Sequence, residues 1–318
     1  MRAGLRTTLL ALLRFAVLLF VLPLAAFVVV GSVAPEFHLD RYTYEQGEGY
    51  VPQVRPPDAD DRAGVGQLAG FFTRASLGLV GGAPGRSREA ADRSLGTLLA
   101  GRAGPSLGIL AVATGVSLLG LAAGVSAGAW RARRGWRTPR WLRALGAPGA
   151  TALEGLPLPF VAMIAFVLVV RLVPRDGVLE SDAAMVIWAG LALAAGDAVL
   201  HGVIRGAGLE TRRGLSRPYV LAARLRGERP LAALWPNLLP VLGAHLRAAV
   251  LLFLGGLVIV EPALGINGLG ETFKDIVTDR AGTDVLLFAG VLWLFAVPVA
   301  TVDLVATVGR GAGLWGRP

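Results

Sequence analysis

Cysteine is absent from all 318 residues, so no disulfide, thiolate metal site or cysteine nucleophile is available to this chain. Lysine is nearly absent: Lys274 stands alone against 30 arginines. Histidine occurs only at His38, His201 and His245. With no His-Glu-x-x-His run, these three cannot build a zinc site by themselves. The chain also lacks a Gly-x-x-x-x-Gly-Lys-[Ser/Thr] loop and so cannot cradle nucleotide phosphates as a P-loop ATPase does. A Gly-x-Ser-x-Gly elbow is missing too. Charge is scarce, at 17% of residues against roughly 25% in an average globular protein. Together these absences argue against soluble enzyme chemistry.

What is present is apolar. Hydrophobic residues make up 54% of the chain and the mean hydropathy is +0.61, values of a polytopic membrane protein. The same content excludes disorder. A helix needs about 20 predominantly apolar residues to cross a bilayer. Six windows qualify, at about 9–33, 105–129, 155–173, 183–204, 238–260 and 284–308. Only Arg14 interrupts the first, near its start, where it can snorkel to the interface. Ser32-Val33-Ala34 resembles a signal-peptidase site. The apolar run before it exceeds the roughly 7–15 residues of a signal h-region, which favours a retained helix.

The arginines give an orientation and explain the net charge of +9. With six spans, segments 1–8, 130–154, 205–237 and 309–318 lie on one side and carry 2, 6, 7 and 2 arginines. The opposite short loops, 174–182 and 261–283, hold only Arg175, Lys274 and Arg280. Basic residues favour cytoplasmic loops, so both termini are expected in the cytoplasm and nucleic acid is not expected as a partner. The remaining loop, 34–104, then lies outside, with nine acidic and eight basic residues and stretches rich in proline and glycine. Its first half reads as a small loop-rich element. Its second half, from Gly66, alternates apolar pieces with turns and leads as a helix into the second span. No internal repeat is evident.

Ionisable residues within spans cost about 2.5–3.5 kcal/mol each at the membrane centre on insertion scales, so they need partners or a function. Asp197 and His201 lie four apart in the fourth span, on one face of a helix. Arg247 lies in the fifth span and Asp303 in the sixth. One reading is a proton relay or ion site. The other, which we prefer, is pairing within the bundle, with Asp197 meeting His201 or Arg247. Glu154 precedes the third span and reads as an interface residue.

The second inner loop carries the most specific pattern. It runs Pro218-Tyr219-Val220-Leu221-Ala222-Ala223-Arg224-Leu225-Arg226-Gly227, then Trp235-Pro236-Asn237-Leu238-Leu239-Pro240. This resembles the cytoplasmic coupling motif of ABC importer permeases in the dipeptide, oligopeptide and nickel branch. That motif reads tyrosine-valine-x-x-alanine-arginine-x-x-glycine, then asparagine and proline. Gly85-Arg86-Ser87, Leu156-Pro157, Arg171-Leu172, Pro174, Arg205 with Glu210, Glu261 with Gly268-Leu269-Gly270, and Val302-Asp303-Leu304 are similar to the same branch. Pro218 departs from it, standing where the family usually has an acidic residue. The stretch from Gly227 to Asn237 is shorter than the family's, and Gly309-Arg310-Gly311 replaces its aspartate-proline-arginine.

The resemblance implies an all-α bundle of six transmembrane helices with the type I ABC importer permease fold. Residues 1–33 would form the first helix, 34–104 an extracytoplasmic region, and 105–310 the permease core with a coupling segment at 205–240. Tyr219, Val220, Ala223, Arg224 and Gly227 would couple the chain to an ATPase. The implied partners are two ABC ATPase subunits, a second permease that is a different chain, an extracytoplasmic solute-binding protein and membrane lipid. No cofactor is expected in this chain, ATP and magnesium belonging to the ATPases, and it is not expected to be an enzyme itself. The implied function is ATP-driven import of a peptide-like or other small solute across a bacterial inner membrane. An ion-coupled secondary transporter using Asp197 and His201 is the alternative, although inverted repeats, its usual signature, are not detected.

Overall fold

A computed structural model describes residues 2–33, 42–45, 49–52, 64–83, 85–86, 93–134, 157–172, 182–278 and 284–311. The prolines at 56–57, Glu154, Leu156, Pro174, Arg175 and Arg280 lie outside the described residues. In order, the elements are α1 (Arg2–Ala16), a π-helical turn (Val17–Val21) and α2 (Leu22–Val33). The hairpin β1 (Tyr42–Glu45) and β2 (Gly49–Pro52) follows, then α3 (Val65–Gly81), α4 (Leu95–Arg134) and α5 (Leu158–Leu172). Then come α6 (Asp182–Ala195), a 3-10 turn (Gly196–Ala198), α7 (Val199–Leu215) and α8 (Pro218–Leu225). The chain ends in α9 (Pro230–Leu264), α10 (Leu269–Thr278) and α11 (Val285–Gly311).

Five helical stretches are long and apolar enough to cross a membrane: Leu9–Ser32, Leu95–Arg133, Ala183–Leu215, Pro230–Leu264 and Val285–Leu304. They coincide with five of the six expected windows, so the chain is a polytopic helical membrane protein. The third window is helical as well over its described part, α5, whose 15 residues cover about 22 Å. Helix α4 starts ten residues before the expected window, and its 40 residues extend about 60 Å.

The chain divides into two compact units. One holds 1–11, 107–266 and 302–318, and the other 12–106 and 267–301. The expected extracytoplasmic region 34–104 falls within the second unit. There the apolar pieces after Gly66 form one helix, α3, instead of several pieces separated by turns. It ends because Gly82 takes the left-handed conformation (φ 84°) and the Ala83 N–H donates to the Gly78 carbonyl at 2.9 Å. A bridge between Arg86 and Ser94 then precedes α4. The hairpin pairs antiparallel with Tyr44 opposite Tyr50, a small β element in an otherwise helical chain.

Aromatic packing organises this second unit. The Phe27 ring stacks on Phe71 at 6.0 Å and meets Phe72 at 5.2 Å and Phe288 at 6.0 Å. Leu68, Leu95, Leu99, Val285 and Leu286 are buried around them. Offset and tilted aromatic pairs of this kind add about 0.5–1.5 kcal/mol each beyond the area they bury. Polar ties bring α10 onto α4: Arg102 Nη1 donates to Thr272 Oγ1 at 2.6 Å, and Leu269 N–H to Ser106 Oγ at 2.8 Å. Asp284 caps α11, its Oδ1 accepting from Leu287 N–H at 2.9 Å.

In the first unit, helices approach one another through glycines. A Cβ added at Gly124 would lie 2.4 Å from the Ile204 carbonyl oxygen, and one at Gly128 2.5 Å from that of Gly208. Helices α4 and α7 therefore run side by side in backbone contact, the small-residue packing typical of membrane helices. Gly190 meets Val112 and Gly256 meets Leu193 and Leu158 in the same way, whereas Gly115 and Gly255 face open space.

Candidate functional site

The coupling segment occupies a sharp reversal between two membrane-length helices. At the end of α7, Ser216 Oγ donates to the Arg213 carbonyl at 2.8 Å. Arg217 is extended (φ −70°, ψ 145°), as a residue before proline tends to be, and Pro218 opens α8 at its first turn, where no amide hydrogen is needed. The far end is a Schellman closure. Glu228 N–H donates to the Ala223 carbonyl at 3.0 Å and Gly227 N–H to that of Arg224 at 3.1 Å. This requires a left-handed residue, and Gly227 supplies it at φ 83°. Arg229 then caps α9, which begins with Pro230.

The faces of α8 differ from expectation in one respect. Val220 and Ala223 are each only 1% exposed. They turn inward against this chain's own helices, so of the five residues expected to couple to an ATPase these two face the bundle. The outward face carries Leu225, 90% exposed, with Tyr219, Leu221, Ala222 and Arg224. Arg226 pairs with Glu228 at 2.7 Å on the surface. Gly214 lets α9 close against the end of α7, because a Cβ there would lie 2.4 Å from Leu234 Cδ1.

Behind α8 lies an open cavity of about 910 Å³ formed by the ends of α4, α7 and α9. Arg131, Arg133, Arg212, Arg213 and Arg224 line it, interleaved with apolar side chains. Arg213 also reaches Glu210 at 3.2 Å.

The intramembrane polar groups sort into two places. Arg247 on α9 and Asp303 on α11 meet at 2.7 Å, with the Asp303 side chain 2% exposed and that of Arg247 33%. Asp197 does not share a continuous helical face with His201, because the chain breaks at the 3-10 turn between α6 and α7. Asp197 (φ 48°) and Ala198 (φ 57°) are both left-handed. Asp197 Oδ1 accepts from the Leu158 N–H at 2.9 Å and so caps the start of α5. In place of the expected pairing of Asp197 with His201 or Arg247 there are two separate contacts, Asp197 with the Leu158 amide and Arg247 with Asp303.

Two residues with evident roles, Gly196 and His245, were not singled out by sequence, and a third, Glu261, was placed differently. Gly196 admits Leu158, whose Cδ1 would lie 2.3 Å from an added Cβ. His245 packs on Gly206, its ring within 2.7 Å of where a Cβ would stand. Glu261 is fully buried in the last turn of α9, not placed in a loop. The available signals were the Gly196-Asp197 pair within an apolar run and the glutamate closing another. Among the described residues no cluster of three metal-ligating side chains occurs. No protein-family model matches this chain, and no curated protein matches it either.

Proposed function

We propose that this chain is a permease subunit of an ATP-driven ABC importer with six spans, α5 belonging to the third. It works as half of a permease pair, with two ATPase subunits and an extracytoplasmic solute-binding protein, in a bacterial inner membrane with both termini cytoplasmic. Closure of the ATPases on ATP moves α8 and rocks the attached helices between inward-open and outward-open states, carrying a peptide-like or other small solute. One observation carries the reading. The motif residues 218–227 form a short capped helix held between two membrane-length helices, the form a mechanical coupling element needs. Val220 and Ala223 anchor it to the bundle, Gly227 ends it, and Tyr219, Leu221 and Leu225 present the face that meets an ATPase. The ion-coupled alternative has no observation in its favour, since Asp197 is engaged as a helix cap.

Replacing the outward residues tests this without disturbing the buried ones. Leu221→Asp with Leu225→Asp should abolish copurification of an ATPase and substrate-stimulated ATP hydrolysis, while the chain stays inserted. If no ATPase copurifies with the wild-type chain in mild detergent, the reading fails.

A further inference from the structure

The arginine-lined cavity behind α8 has the chemistry of an anionic lipid site. It combines five guanidinium-bearing residues with apolar side chains including Leu209, Leu215 and Leu231. Among the described residues no carboxylate lines it, and Arg213 is the lining arginine with a carboxylate neighbour, Glu210. Its volume of about 910 Å³ falls within the roughly 300–1,000 Å³ range of small-ligand sites. Planar guanidinium groups bind phosphate oxygens in pairs, and the apolar interleaving suits a phosphate that carries hydrocarbon.

The height of the cavity along the helices distinguishes a lipid from a soluble anion. Gly128 of α4 lies against Gly208 and Thr211, and Gly214 lies against Leu234 of α9. Trp130 therefore falls near Thr211 along the bundle and Trp235 near Gly214, so two tryptophans bracket Arg212 and Arg213. Both are substantially exposed, at 43% and 47%. Exposed tryptophans mark the headgroup level of a bilayer. Basic pockets between helices at that level bind anionic headgroups.

We propose that this cavity binds the phosphodiester headgroup of an anionic phospholipid, one molecule per chain, between the ends of α4 and α7. The site does not depend on the transport reading. A lipid there packs against Leu221 and Arg224 of α8, so its presence would set how firmly that helix is seated.

The test is native mass spectrometry of the full-length chain in mild detergent, offered palmitoyl-oleoyl phosphatidylglycerol and phosphatidylcholine in equal amounts. The wild type should retain one phosphatidylglycerol with a preference of roughly tenfold or more over phosphatidylcholine. Arg133→Gln with Arg212→Gln should lose that preference, and Arg133→Lys with Arg212→Lys should keep part of it. Arg217→Gln with Arg229→Gln removes equal charge outside the cavity and should change nothing. All four positions are exposed, so these variants are expected to remain folded. Equal retention of both lipids by the wild type would overturn the proposal. So would an undiminished preference in the first Gln pair, or an equal loss in the Arg217 and Arg229 pair, which would indicate diffuse charge. Displacement of the lipid by millimolar inorganic phosphate would assign the cavity to a free anion instead.

Discussion

Two carboxylates within the membrane helices do different physical work, and substitution should separate them. Asp197 sits at a left-handed break and accepts from the first amide of α5, so it offsets an orphan donor at a helix start. Asp197→Ala should lower stability by about 1 kcal/mol, whereas Asn keeps an acceptor oxygen and tolerates the left-handed backbone. Thermal unfolding in detergent should rank wild type and Asn above Ala, and equal midpoints for all three would remove the capping role. Asp303 is different because it is buried against Arg247. Removing Arg247 strands a buried carboxylate and should cost about 3–5 kcal/mol. Asp303→Ala should cost less, since the Arg247 head is a third exposed and can reach water or headgroups. Arg247→Met with Asp303→Leu should recover most of the loss. A double variant as unstable as Arg247→Ala would mean that the pair is more than a mutual neutralisation.

At the scale of elements, α8 shows what local sequence reveals and what it leaves to packing. Pro218 and Gly227 bound the helix because each acts through its own backbone, one lacking an amide hydrogen and the other accepting φ 83°. Nothing crowds Gly227, so the cost of a side chain there is conformational: about 1–2 kcal/mol for Val and less for Asn. Hydrogen exchange of the α8 amides should rise in Gly227→Val and stay near wild type in Gly227→Asn. Matching protection in both variants would show that the cap does not hold the helix. The sides of α8 were not legible, because Val220 and Ala223 are no more apolar than Leu221 and Leu225. Only the presence of α7 and α9 decides that the first pair is buried and the second exposed. The break at 196–198 escaped for a similar reason. The break goes with a remote contact: Leu158, 38 positions earlier in the chain, occupies the space that Gly196 leaves. Hydropathy located the long helices because burial in lipid needs only length and apolarity, which are local. The interior of the 34–104 region was less readable, since α3 closes on Phe27 and Phe288 from remote parts of the chain.

For the whole molecule, helix α5 decides the topology. Its described residues, Leu158–Leu172, cover about 22 Å of the roughly 30 Å hydrocarbon thickness. One side of it is buried, at Ala162 and Ala165, while Phe160, Met163, Ile164 and Phe166 are exposed, as a lipid-facing surface requires. If α5 crosses, α8 with its neighbouring arginines lies on the same side as the N-terminus, and α10 lies opposite. If it does not, the following helices invert and α8 faces out. The inverted arrangement would put the seven arginines of 205–237 outside and leave Lys274 and Arg280 inside, against the bias of short loops. The absence of cysteine makes the choice measurable, because each introduced thiol is unique. Leu225 is 90% exposed and the Asp275 side chain 58%, so either position is reachable by reagent. Leu225→Cys should resist a membrane-impermeant maleimide in intact cells and react after permeabilisation, and Asp275→Cys should react at once. The reverse pattern would mean that α5 stays on one side of the membrane. The six-span arrangement would then fall, and with it the coupling role of α8, which an ATPase could no longer reach.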